Sequence, residues 1–123
     1  MWDPNTGKLV RMFFGHYDSV RALADLDNFG QNNYFASGSD DKTIKVWDAN
    51  TGLCVRTFDG HSAAVTSLVK LNNGLLVSGS LDSTIKIWDL TNGQLQRTMK
   101  GHTAGVTSLV ELKDYLVRII DLF

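Results

Sequence analysis

The chain has 123 residues, 43% of them hydrophobic, and sets 12 lysines and arginines against 13 acidic residues; it can build an apolar core but carries no field that would recruit nucleic acid or an anionic membrane. Its one cysteine, Cys54, excludes an internal disulfide and, with only three scattered histidines, makes no zinc cluster, so an intracellular, reducing compartment, cytoplasmic or nuclear, is expected. No apolar run nears the roughly 18 residues that a membrane span requires, and the N-terminus lacks a basic stretch followed by an apolar one.

Internal repetition orders everything else. Trp2-Asp3 returns as Trp47-Asp48 and Trp88-Asp89, at spacings of 45 and 41. Gly15-His16, Gly60-His61 and Gly101-His102 keep the same two spacings, as do Arg11, Arg56 and Arg97. Asn5-Thr6-Gly7 matches Asn50-Thr51-Gly52, and Ser37-Gly38-Ser39 matches Ser78-Gly79-Ser80. In chain order, the unit that can be read most fully predicts strands over Ala64 to Leu71, Leu75 to Ser80, Thr84 to Asp89 and Gln94 to Met99. The separators Asn72-Asn73-Gly74, Ser80-Leu81-Asp82-Ser83 and Thr91-Asn92-Gly93 are built of turn formers, so each unit reads as a four-stranded antiparallel meander. The first unit carries four extra residues within Asp27 to Asn33, a hairpin loop that absorbs an insertion at little cost. The third unit is short: Val117-Arg118-Ile119-Ile120-Asp121-Leu122 resembles Ile85-Lys86-Ile87-Trp88-Asp89-Leu90 but arrives nine residues early, which removes the counterparts of Ser78 and Asp82. One strand over 105–112 and a hybrid strand over 115–121 are expected there.

The Gly-His and Trp-Asp dipeptides around Ser-Gly-Ser-x-Asp-x-Thr-Ile-Lys resemble the WD40 repeat of β-propellers over nearly the whole chain. The resemblance implies an all-β fold of propeller blades in an incomplete, open propeller. Residues 1–13 then end a preceding repeat, with 8–13 as its outer strand; 14–58 and 59–99 are two blades, and 100–123 a truncated third. It further implies a buried network in which the indole of Trp47 bonds Ser37, Ser37 bonds His16 and His16 bonds Asp41, repeated by Trp88, Ser78, His61 and Asp82. In the third unit only His102 survives.

The same residue types invite a catalytic reading. His16, Ser37 and Asp41, or His61, Ser78 and Asp82, have the composition of a hydrolase triad, but a nucleophilic site needs an exposed oxygen and an oxyanion hole and is not ordinarily duplicated 41 residues on. No metal is expected from histidines spread one per repeat, and no cofactor motif is present. Arg11, Arg56 and Arg97 read as a solvated blade rim, and Cys54, aligned with Leu9 and Leu95, as a small packing residue. The leading expectation is a non-catalytic scaffold that binds other proteins or peptides, with no direct nucleic-acid or membrane partner. By the resemblance, the binding face maps to Tyr17, Ser19 and Asp40, to Ser62, Ala64 and Leu81, and to Thr103 and Gly105, with Tyr17 and Asp40 foremost. Propellers close with about 4 to 8 blades, so the exposed blade faces here call for cover by further WD repeats of a longer chain, of which this would be a fragment, or by copies of itself in a composite ring.

Overall fold

A computed structural model of the chain describes residues 1–27, 33–101, 103–112 and 115–120, with positions 110–112 and 115–120 described by backbone alone. Among the described residues there is no helix. Strands β1 (Val20–Asp25), β2 (Tyr34–Ser39), β3 (Ile44–Asp48) and β4 (Cys54–Phe58) form one antiparallel sheet in that order, and β5 (Val65–Lys70), β6 (Leu75–Ser80), β7 (Ile85–Asp89) and β8 (Leu95–Met99) form a second. A third, two-stranded sheet pairs β9 (Ser108–Leu112) with β10 (Tyr115–Ile120). The fold is therefore all-β, two complete blades and part of a third.

The central turn of each full sheet is fixed by an aspartate. Lys42 and Ser83 adopt φ of 74° and 68°, a left-handed conformation that costs a non-glycine residue about 1–2 kcal/mol. The carboxylate two residues after each β2 or β6 strand holds it there: Asp41 Oδ1 accepts the backbone N–H of Thr43 at 2.9 Å and its hydroxyl at 2.6 Å, and Asp82 accepts the same pair from Thr84 at the same distances.

The sheets stack through one repeated contact. A register shift between Val20 and Ala22, and again between Val65 and Ser67, inserts an extra residue. Residues three apart in sequence, Val20 with Leu23 and Val65 with Leu68, thereby share a face that plain alternation would deny them. In the second sheet this pair faces the first: Val65 and Leu68 join Leu76, Trp88 and Leu90 in packing against Ala36, Ile44, Val46 and Phe58. Gly38 makes the approach possible, because a Cβ there would lie 2.6 Å from Val65 Cγ1. One repeat later Val106 and Leu109 pack on Val77 and Ile85, and a Cβ on Gly79 would lie 2.6 Å from Val106 Cγ1. Each blade thus presses a Val-Leu knob into a glycine notch on the blade before it. The second sheet is covered on both faces, the first on only one.

Several sequence expectations change here. Residues 8–13 form no strand; their ladder contact is a single bridge, Leu9 to Trp2, because the third strand they would pair with is represented only by Met1 to Asp3. That bridge keeps the register of Trp47 with Cys54 and Trp88 with Leu95. Cys54 is exposed, as are Leu9 and Leu95, because the outermost strand has no sheet beyond it. Arg11 is not a solvated rim residue: its guanidinium reaches the next blade, lies against Gly52 and donates to the Thr51 carbonyl at 3.0 Å, while Arg56 lies against Gly93. Finally, β10 resembles a third strand in sequence but pairs directly with β9, in the place of a second strand, because the missing nine residues leave no other strand to fill it. His102, residue 121 and most of the first-loop insertion lie outside the described residues.

Candidate functional site

Two hydrogen-bonded chains, one per full blade, link the loop entering the first strand to the turn between the second and third. In the second blade the Trp88 indole N–H donates to Ser78 Oγ at 2.8 Å, Ser78 is 2.7 Å from His61 Nε2, and His61 Nδ1 is 2.7 Å from Asp82 Oδ2. The first blade repeats this with Trp47, Ser37, His16 and Asp41, each step at 2.7 Å. One tautomer satisfies every group: Nδ1–H donates to the carboxylate, the serine hydroxyl donates to Nε2, and the serine oxygen accepts the indole. The carboxylate also accepts the backbone N–H of Tyr17 or Ser62 at 3.0 Å, which ties the entry loop to the turn.

Burial alone would raise the Asp82 carboxyl, but hydrogen bonds from Thr84, His61 and the backbone of Ser62 outweigh it and hold the group at about 2. Asp41, with Thr43, Tyr17 and His16 as donors, is likewise well below the ordinary carboxylate range despite its burial. Burial pushes His61 below its ordinary value of 6.5, against the pull of Asp82. All these shifts have one sign. The unfolded chain takes up protons at higher pH than the folded one, so stability is fully present above 6.5, declines as His61 of the unfolded chain charges, and is lost further as pH falls from 3.8 toward 2 through the aspartates. Urea midpoints are expected to drop on acidification, most steeply at the lower end. A midpoint that rose between about pH 7 and pH 5 would contradict the assignment.

As chemistry, the set has triad composition without triad access. Ser78 is completely buried and Ser37 nearly so, and each oxygen already accepts an indole N–H. Among the described residues, no group of three or more His, Cys, Asp or Glu is placed to hold a metal ion, and no helix is long and apolar enough to cross a membrane.

The loop-face residues gather at one end of the sheets. Asp40 N–H donates to the Ser19 carbonyl at 2.9 Å, and Leu81 N–H to the Ala64 carbonyl at 3.0 Å, so entry loop and turn meet in both blades. Gly105 sits against Leu81, bringing the third unit alongside the second. Tyr17 is 94% exposed; Ser19, Ser62, Leu81 and Thr103 are exposed, and Ala64 and Gly105 half-buried. Asp40 is not a free charge. Arg21 grips it with two bonds, Nε to Oδ1 at 2.9 Å and Nη2 to Oδ2 at 2.6 Å, and that grip holds the carboxyl below its ordinary value. Sequence reading missed Arg21, which lies 19 residues from its partner and has Thr66 at its place in the next repeat. A second feature is an apolar groove of about 570 Å³ on the uncovered face of the first sheet, floored by Phe13, Phe35 and Trp47 and rimmed by Met1, Phe14, Val20 and Leu23.

Meander sheets of fixed repeat length, stacked face to face and each tied by a Trp-Ser-His-Asp chain, define the blades of a propeller-type repeat protein. The family model described as WD domain, G-beta repeat matches residues 7–48 and 52–89, and the chain belongs to that WD40 family. No curated protein matches it. Repeats of this family generally serve as protein–protein interaction scaffolds and are typically non-catalytic.

Proposed function

We propose that the chain is a non-catalytic scaffold that holds a protein or peptide on the loop face made by Tyr17, Ser19, Asp40, Ser62, Ala64, Leu81, Thr103 and Gly105. The observation that carries this reading is Tyr17, a large aromatic almost fully in solvent on a loop whose backbone is anchored to the buried carboxylate of Asp41. An exposed tyrosine on a rigid loop offers wide contact area at low entropic cost, with a polar tip. Beside it, the Arg21–Asp40 pair presents both charges in fixed geometry. The remaining positions are small or apolar and shape the surface.

A hydrolase acting through His16 and Ser37, or through His61 and Ser78, is disfavoured by the burial of both hydroxyls. A fluorophosphonate probe is expected to leave Ser37 and Ser78 unlabelled; labelling of either would restore that reading. The exposed free thiol of Cys54 fits a reducing compartment, cytoplasmic or nuclear. Tyr17→Ala is expected to weaken partner binding by about 2 kcal/mol, roughly thirtyfold, with no change in the unfolding midpoint. Titration calorimetry with a partner recovered by the wild-type chain checks this, and an unchanged affinity would retire the loop face as the binding surface.

A further inference from the structure

The three repeats place the same Val-Leu knob three times, and its surroundings differ. Val65 and Leu68 are 0% and 8% exposed, and Val106 and Leu109 are 0% and 7% exposed, each pair pressed on a glycine-notched sheet. Val20 and Leu23 are 49% and 67% exposed beside the 570 Å³ groove. The internal interfaces therefore show what this face is shaped to receive: a sheet whose second strand carries glycine opposite the valine.

A second copy cannot supply that notch. Gly38 is filled by Val65 and Gly79 by Val106 of the same chain. At the third position the register is explicit: Ala22 stands opposite Gly38, Ser67 opposite Gly79, and Ser108 opposite Ile120. The strand that should present the free notch has isoleucine there. The neighbouring position, held by Ser37 and Ser78 in the full blades, is taken by Ile119. A Cβ alone is too much at the two occupied notches, and isoleucine adds three carbons beyond it. The open face also differs from its siblings in chemistry. Phe14, 77% exposed, stands where the other repeats have the solvent-exposed Asp59 and Lys100, so the rim is apolar where the internal interfaces end in charge.

We infer that the uncovered face of the first sheet is a heterotypic docking surface whose partner is a WD-type blade of a different polypeptide, carrying a glycine flanked by small residues on its second strand and seating Val20, Leu23 and Phe14. The surface is separate from the loop face, and its fate does not depend on Tyr17. The contact is heterologous, knob to notch, so it neither pairs two identical faces nor extends into a chain of copies.

The test builds the missing notch. A donor chain carries Ile119→Ser and Ile120→Gly, with its own knob blocked by Val20→Asp and Leu23→Asp. Wild-type chain and donor are expected to show no Val20-dependent association when measured alone by analytical ultracentrifugation, and to form a 1:1 complex when mixed. Val20→Asp in the wild-type chain should weaken that complex at least about tenfold, since it places a charge in an apolar contact. Ile120→Gly without Ile119→Ser, on the same blocked background, is a milder donor should the first lose its β circular dichroism. Self-association of the wild-type chain that Val20→Asp abolishes would overturn the inference by making a second copy the occupant. So would a folded donor that binds the knob-blocked chain equally well, or one that binds neither.

Discussion

Val65→Asp is expected to destabilise the chain by at least about 3 kcal/mol, whereas Val20→Asp, the same substitution one repeat earlier, is expected to change stability by less than about 0.5 kcal/mol. The two valines share repeat position, strand, bulge and flanking leucine; only the neighbour differs. Val65 is fully buried in the notch of Gly38, with Ala36 and Ile44 around it, and a carboxylate there would have no partner. Val20 already meets water. Urea denaturation of the two variants measures the difference, and equal losses would show that the first sheet buries its knob elsewhere. The pair isolates the nearest-neighbour contribution that governs repeat proteins, in which a blade draws its stability from the face it shares.

Ser78→Ala ranks next. It removes one oxygen and strands two groups, the Trp88 indole N–H and His61 Nε2, both buried and bonded to that atom. Each unsatisfied group costs on the order of 1–3 kcal/mol, so a loss of about 2–5 kcal/mol is expected. Ser37→Ala should cost less, because His16 is only half-buried and water can replace part of what is lost. A chemical-denaturation series on both variants checks the order. If Ser37→Ala proved the more damaging of the two, exposure would not be what sets the cost.

Much of this architecture is legible in the residues, for a physical reason: a feature that recurs at fixed spacing marks a position whose environment recurs. The strands of the second unit, Leu75–Ser80 among them, follow from apolar runs cut by Asn-Gly and Asp-Ser turns, and the recurrent His, Ser, Asp and Trp are the residues joined by hydrogen bonds in each full blade. What repetition does not reveal is anything that depends on how sheets lie against each other. Val65 and Leu68, three apart, fit neither strand alternation nor a single helix until the bulge at Ser67 brings them onto one face. The available signal was Gly38 and Gly79 inside strands, since a strand-interior glycine marks close approach of another backbone or side chain. The Arg21–Asp40 pair was hidden because it occurs in one repeat only, and Arg11 looked solvated because its target, Gly52, belongs to the next blade. Cys54 misled by alignment: it shares a position with Leu9 and Leu95, and all three lie on an outermost strand that nothing covers.

The account holds that a blade is as stable as the number of its faces that are covered, and amide hydrogen exchange reads this sheet by sheet. Protection is predicted to be greatest in β5–β7, covered on both sides, lower in β1–β3, and lowest in the two-stranded sheet of β9 and β10. Equal protection in the first and second sheets, measured on the chain alone, would contradict it.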